Sequence, residues 1–250
     1  IVSLTSFPDR INTVWITIST LLNQTLKPKK IILWLAENEF PTHQVPKSLE
    51  RMKKRGLEIR FCDDLKPHKK YFFAMNEFPE NIIVTADDDI FYPENNLEKL
   101  ENEYKKNKNS VICHWSHKIG FDQRGDFLPY NDWKTNDKEL SCLCTIPIGC
   151  NSVLYPPGCL YYDALSKCKV LKYVYTDDLW LKCMEIMNGT PARNCNETPL
   201  IYFNIITTQF TGLWKNNTEN LNRNDTAWKQ LMKDYPEVRK RLYAEYMEQL

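Results

Sequence analysis

Three aspartates stand together at Asp87, Asp88 and Asp89, directly after Ile82-Ile83-Val84-Thr85-Ala86 and directly before Ile90-Phe91-Tyr92-Pro93. Adjacent carboxylates repel one another unless a cation sits among them. In an extended chain Asp87 and Asp89 point the same way and Asp88 the opposite way. The like-facing pair then offers hard oxygen ligands to Mn²⁺ or Mg²⁺, with phosphate oxygens and water completing the shell. Such an ion would neutralise a departing diphosphate, where negative charge grows as a glycosyl bond breaks. The plainer alternative is an acidic turn capping the next helix. So apolar a strand ahead of the triplet favours the metal site.

Other reactive side chains give weaker signals. His114 and His117 in Cys113-His114-Trp115-Ser116-His117 have a zinc-compatible spacing on a helix, but the segment reads as a strand end. Nine cysteines, an odd number, show no CxxC spacing; Cys142 and Cys144 are the closest pair. This disfavours a disulfide framework or a zinc ribbon and points to reduced thiols in a cytosolic protein. Trp115, Trp133, Tyr130, Tyr155 and Trp214 could stack on sugar rings, although most aromatics are core. Seven glycines, with no GxGxxG or GxxxxGK[ST] pattern, disfavour a Gly-rich phosphate loop.

Bulk properties exclude more than they assign. The chain has 250 residues, of which 42% are hydrophobic, enough for a substantial core. Charge is balanced, 33 Lys+Arg against 32 Asp+Glu, so nothing global suggests a nucleic-acid partner. Asn-x-Thr sequons at Asn23, Asn188, Asn196, Asn216 and Asn224 matter only if the chain is secreted. No apolar run approaches the roughly 20 residues of a membrane span. The chain begins at Ile1 without a methionine, so it reads as a fragment from which an anchor has been removed or was never present.

The elements that must position these residues alternate. Strands are expected over residues 1–5, 29–35, 57–61, 81–86 and 110–113. Helices are expected over 11–22, 46–54, 69–78 and 95–106, with Gly56 closing the second. Alternation with short links implies a mostly parallel sheet wrapped on both faces, with ligands beyond the carboxyl ends of its strands. The acidic triplet falls at such an end. From 114 to 149 no long period is visible. A strand is expected over 151–155 and a helix from 176 to 187, N-capped by Thr176. A further strand is expected over 200–207, and a terminal helix over 225–250 that Pro236 breaks. The two halves, 1–114 and 115–250, are expected to form one continuous α/β domain.

The stretch Ile83-Val84-Thr85-Ala86-Asp87-Asp88-Asp89-Ile90-Phe91-Tyr92-Pro93 resembles the DxD segment of GT-A glycosyltransferases. Residues 2–11 (VSLTSFPDRI) followed by 21–35 (LLNQTLKPKKIILWL) are similar to bacterial sugar transferases of the capsule and lipopolysaccharide type. The resemblance runs over most of the chain and is strongest in the first 95 residues. It implies a GT-A sandwich, a nucleotide-sugar donor, usually a UDP-sugar, and Mn²⁺ or Mg²⁺. By this likeness Asp89 is the principal metal ligand. Asp87 faces the metal or the donor ribose, and Asp88 belongs to the same donor-binding segment. Thr5 and Arg10 line the nucleotide pocket, Asp64 meets the nucleobase or ribose, and Lys70 approaches the donor. In Thr176-Asp177-Asp178-Leu179-Trp180 the likeness suggests an acidic pair under the acceptor, with Asp178 slightly ahead of Asp177 as the base an inverting reaction requires. A normal helix opening would look the same, and its dipole would lower the carboxylate pKa. GT-A enzymes often supply a late histidine to the metal. None follows His117, so Gln209, Asn216, Asn217 or water is expected in its place.

The expected function is therefore metal-dependent transfer of a sugar to a glycan or lipid-linked acceptor in surface polysaccharide synthesis. It would act in the cytoplasm, with peripheral association at the inner membrane face left open; the alternative is the lumenal domain of an anchored enzyme. Two rivals stand beside it. A nucleotidyltransferase of similar fold is disfavoured because Ser6-Phe7-Pro8-Asp9-Arg10 contains no glycine. A non-catalytic carbohydrate- or nucleotide-binding module would bind without turnover.

Overall fold

The computed structural model describes residues 1–135, 140–195, 200–206, 208 and 222–248. Its first half runs β1 (Val2–Thr5), α1 (Val14–Leu22), β2 (Ile31–Ala36), α2 (Lys47–Lys53), β3 (Leu57–Cys62), α3 (Lys69–Glu77), β4 (Ile83–Ala86), β5 (Ile90–Phe91), α4 (Asn96–Lys106) and β6 (Val111–Cys113). The second half adds β7 (Ser116–Lys118), β8 (Lys134–Thr135), β9 (Thr145–Pro147), β10 (Val153–Tyr155), α5 (Lys167–Val170), α6 (Asp177–Asn188), β11 (Ala192–Asn194), β12 (Phe203–Asn204), α7 (Arg223–Asp234) and α8 (Pro236–Glu248).

Seven strands form the central sheet in the order β11-β6-β10-β4-β1-β2-β3. All neighbours are parallel except β10, which runs antiparallel to both β4 and β6. Strands from both halves of the sequence share this sheet. Every residue of β2 is buried, as expected of a strand covered on both faces. Alternation divides it: Ile31, Leu33 and Leu35 join the core that includes Val14, Ile18 and Leu100, while Ile32 and Trp34 pack with Ala74 of α3 on the other side. A third apolar cluster gathers β6, β10, α6, α7 and α8 around Trp180 and Trp228.

Chain order creates the site's position. From β1 the chain builds outward through β2 to β3, then returns to place β4 on the other side of β1. The segments that leave the carboxyl ends of β1 and β4 are therefore neighbours, the switch point at which open α/β sheets bind ligands.

Several expectations change at the element ends. The first helix begins at Val14, because residues 8–13 are turns. Of the strand expected over 200–207, the described residues 200–206 form only Phe203–Asn204, paired antiparallel with β5. The featureless stretch 114–149 holds a small sheet, β8-β7-β9, that its sequence did not announce. Thr176 precedes α6 but makes no side-chain cap; its hydroxyl is buried without a hydrogen-bond partner. Pro236 does divide the terminal helix, ending α7 and opening α8 where its missing N–H costs nothing.

Candidate active site

The triplet is a turn, not an extension of β4, so strand alternation does not apply to it. Asp88 and Asp89 converge on one cation: Nη1 of Arg10 lies 2.7 Å from Asp88 Oδ1 and 3.0 Å from Asp89 Oδ2. Asp88 Oδ2 accepts a 2.6 Å hydrogen bond from the Ser6 hydroxyl. Both oxygens of this buried side chain are thus engaged by the segment that follows β1. The Asp88 carboxylate fastens the two segments together, while the residue itself still lines the cleft. Thr17 of α1 donates to the carbonyls of Asp88 and Ile90 at 3.0 and 2.9 Å. Tyr92 completes the clamp: its hydroxyl accepts from the Asp87 amide at 2.9 Å and donates to the Cys150 carbonyl at 3.0 Å.

Asp87 reaches Lys70 while its charge still acts on Asp89. The Lys70 ammonium, buried near the start of α3, lies 2.9 Å from Asp87 Oδ1 and 2.8 Å from Asp177 Oδ2. Burial opposes its charge, but Asp177 and Asp87 outweigh burial and hold its pKa well above the ordinary value. Burial likewise works against the Asp177 carboxylate, and Lys70 overcomes it, so Asp177 is lowered. Asp178 moves oppositely. Burial, then the charge of Asp177, push it up to about 7. The helix-dipole effect that would have kept it acidic is outweighed. The Gly149 amide donates to Asp178 Oδ2 at 3.3 Å. A side chain at 149 would collide here: its Cβ would stand 2.8 Å from Asp178 Oδ1 and 3.2 Å from Lys70 Nζ.

These groups line one cleft of about 1490 Å³, larger than the roughly 300–1,000 Å³ of an ordinary small-molecule pocket. Thr5, Arg10, Lys70, Asp87, Asp88, Asp89, Asp177 and Asp178 are all on its wall. Thr5 is tied back by its hydroxyl, which donates to the Trp34 carbonyl at 2.8 Å. Asp64 is absent from the lining. Its carboxylate is taken by Lys66 and by Lys69, the latter at 2.7 Å. Burial resists, but these bonds bring Asp64 down to about 2. Its part is to orient two lysines that do line the cleft.

Of the aromatic candidates, Trp115 and Tyr130 reach the cleft, with Trp115 37% exposed. Trp133 touches the cleft wall but is buried against Tyr130 and Trp228, and Tyr155 is core. Trp214, Gln209, Asn216 and Asn217 lie outside the described residues. His114 is buried between the Asn96 carbonyl at 3.1 Å and the Cys195 sulfur at 3.1 Å, and burial lowers its pKa to about 4. His117 lies half-buried on the cleft wall, with no hydrogen-bond partner at Nδ1. The residues that sequence reasoning missed are Ser6, Tyr92 and Gly149. Tyr92 sits beside the motif and could have been weighed; Gly149 had no signal in an aperiodic stretch.

No protein-family model matches the chain, and no curated protein matches it. Among solved structures, the chain is similar to Staphylococcus aureus TarS, residues 1–349, crystallised in complex with UDP. Identity is 14% and the TM-score 0.50, over 76% of this chain and 56% of that one. The chain has a GT-A-like fold. It spans little more than half the length of that TarS chain. A CMP:2-keto-3-deoxy-manno-octonic acid synthetase complexed with CTP also aligns, at 10% identity and TM-score 0.42, over 78% of this chain and 88% of that one. Within the GT-A-like fold, the seven-stranded, mostly parallel sheet places both acidic clusters at one mouth. Among the described residues no helix is long and apolar enough to cross a membrane.

Proposed function

We propose that this chain is a divalent-cation-dependent glycosyltransferase that moves a sugar from a nucleotide-diphosphate donor, a UDP-sugar by preference, to a glycan or lipid-linked acceptor. The observation that carries the reading is the convergence of the two acidic clusters, 90 residues apart, on the single ammonium of Lys70 in a cleft wide enough for two substrates.

The residues present fit a hard cation. Among the described residues lining the cleft, Asp9, Glu39, Asp87, Asp88, Asp89, Asp177 and Asp178 outnumber Arg10, Lys66, Lys69 and Lys70. A diphosphate entering so acidic a cleft is repelled unless further positive charge accompanies it. Burial, then the charge of Asp87, push Asp89 up to about 6, against the opposing pull of Arg10. Asp87 and Asp89 would hold Mn²⁺ or Mg²⁺ through oxygen ligands. When bound, the ion supplies charge neutralisation to the leaving diphosphate.

The chain's own residues do the rest. Arg10, fixed by Asp88, presents a guanidinium at the same mouth, suited to phosphate oxygens. Lys70 keeps Asp177 ionised, and burial, then Asp177, raise Asp178 into the range where a carboxylate accepts a proton at neutral pH. Asp178 takes the proton of the acceptor hydroxyl as its oxygen bonds to the anomeric carbon. The electron pair of the broken bond leaves with the nucleoside diphosphate. This assignment gives inversion. Trp115 and Tyr130 offer faces for a sugar ring.

Release of UDP from UDP-sugars with Mn²⁺ and an acceptor panel tests the reading. Turnover that Asp89→Ala abolishes is the expected result. Donor binding without turnover on any acceptor would return the chain to the binding-module alternative, and pyrophosphate-linked product from a nucleoside triphosphate would return it to the nucleotidyltransferase one.

A further inference from the structure

Cys142 and Cys144 flank Leu143 in a segment that pairs with Ala192 through an isolated bridge, and α8 lays Glu245 against it. The Cys142 thiol donates to Glu245 Oε2 at 3.2 Å. The amides of Leu143 and Cys144 donate to Oε1 and Oε2 of the same carboxylate, each at 2.9 Å. The Cys144 amide also points at the Cys142 sulfur, 3.1 Å away. Both cysteines are buried and Glu245 is half-buried. None of the three lines the nucleotide cleft.

We infer that Cys142, Cys144 and Glu245 form a structural metal site for a thiophilic divalent cation of the zinc class. The two sulfurs and the carboxylate oxygen lie within 4.8 Å of one another, the one such cluster among the described residues. Tetrahedral zinc, with Zn–S about 2.3 Å and Zn–O about 2.1 Å, sets sulfur–sulfur spacing near 3.8 Å and sulfur–oxygen spacing near 3.6 Å. The cluster reaches that geometry by moving its atoms about 1 Å or less. Two soft thiolates with one carboxylate select zinc over Mg²⁺ or Ca²⁺. The amides are aimed at groups that are anionic when metal is bound, and such outer contacts orient ligands and stabilise their charge. Ligation through two thiolates would release the two thiol protons to solvent as Zn²⁺ binds. Water would take the fourth position.

The consequence is mechanical. Residues 142–144 lead into β9 and on to Gly149, whose amide meets Asp178. A metal joining α8 to this segment would anchor the start of the strand that leads to Gly149. It is independent of the carboxylate chemistry at Asp87 and Asp89.

The test uses the reduced, purified chain with Mg²⁺ in excess, which occupies hard oxygen sites. Stoichiometric zinc uptake is expected, and Co²⁺ should give the near-ultraviolet thiolate charge-transfer band. Zinc at 100 times its Kd should raise Tm by about 5–10 °C. Cys142→Ser should weaken the band and lower affinity at least tenfold, as should Glu245→Gln, whereas Cys168→Ser, at an exposed cysteine, should change neither. Absence of the cobalt band in the unsubstituted chain overturns the inference, as does a band that survives both Cys142→Ser and Glu245→Gln at full strength. That reading needs no variant to fold. Loss of the carboxylate-dependent turnover leaves this result untouched, so the two proposals fail separately.

Discussion

Asp87 and Asp177, at the ends of different elements, meet on the same atom: Lys70 Nζ stands 2.9 Å from the first and 2.8 Å from the second. This shared ammonium joins the turn after β4 to the start of α6. It fixes how far the carboxylates at 87–89 stand from those at 177 and 178. It also divides the two carboxylates at the head of α6 into an ionised one and a protonatable one.

Removing that ammonium should be costly. Breaking a buried ion pair from one side costs about 3–5 kcal/mol, because the partner charges stay buried. Lys70→Met should therefore lower Tm by about 6–20 °C in a chain of this size. Asp177→Asn in the same background should restore part of the loss. A calorimetric Tm within about 2 °C of the parent for Lys70→Met would contradict this linkage.

The pH dependence follows from Asp178. Its carboxyl is raised to about 7 in the folded chain, against about 3.9 in an unfolded one. The folded state thus holds a proton that the unfolded state has lost between those values. Stability from this group is fully present below about pH 4 and is lost as pH rises through 7. Activity runs oppositely, since the base must be unprotonated, so kcat/KM should rise with pH to a plateau above about 7. Asp178→Asn should flatten the Tm–pH curve over this window and lower kcat at least 100-fold with donor affinity nearly unchanged. Lower thermal stability with turnover intact would make Asp178 a helix-opening residue and nothing more.

Gly149 tests the close packing of the base. Gly149→Ala places a methyl 2.8 Å from Asp178 Oδ1 and 3.2 Å from Lys70 Nζ, so one of them must move. A displacement of about 1 Å at a catalytic group costs on the order of 100-fold in rate. Steady-state kinetics should show the loss in kcat, while donor binding, measured by calorimetry, stays close to the parent's.

Asp88 and Asp89 should separate by phenotype. Asp88 spends both oxygens on Ser6 and Arg10, so Asp88→Ala should destabilise the fold by about 3 kcal/mol in thermal unfolding. Asp89→Ala should keep Tm within a few degrees and abolish Mn²⁺-dependent turnover. EDTA should do the same to the parent chain, reversibly on adding Mn²⁺. Activity that persists in EDTA would remove the metal from the account.

The sequence made the first half of the fold readable for a physical reason. Ile31–Ala36 is an unbroken apolar run bounded by helical periods, and only a strand covered on both faces needs that. The placement of the triplet at a strand end was readable in the same way. Its internal geometry was not: residues 87–89 turn, and Asp88 and Asp89 share Arg10, a contact across 78 residues that no local pattern encodes. The pairing of Lys70 with Asp177 spans 107 residues and was invisible for the same reason. Asp64 was read as a donor contact because its position resembled one, yet the two lysines that follow it claim its oxygens. Thr176 had the residue type of a cap, but its buried hydroxyl makes no hydrogen bond. The small sheet β8-β7-β9 was lost in a stretch where strands of two or three residues leave too short a period to detect.

Anomalous diffraction at the manganese edge, from crystals grown with Mn²⁺ and UDP, addresses the central claim most directly. The expected map places one manganese peak between the carboxylates of Asp87 and Asp89 and the diphosphate of UDP, with Arg10 at the phosphate oxygens. A diphosphate bound elsewhere, with no anomalous peak at residues 87–89, would contradict it.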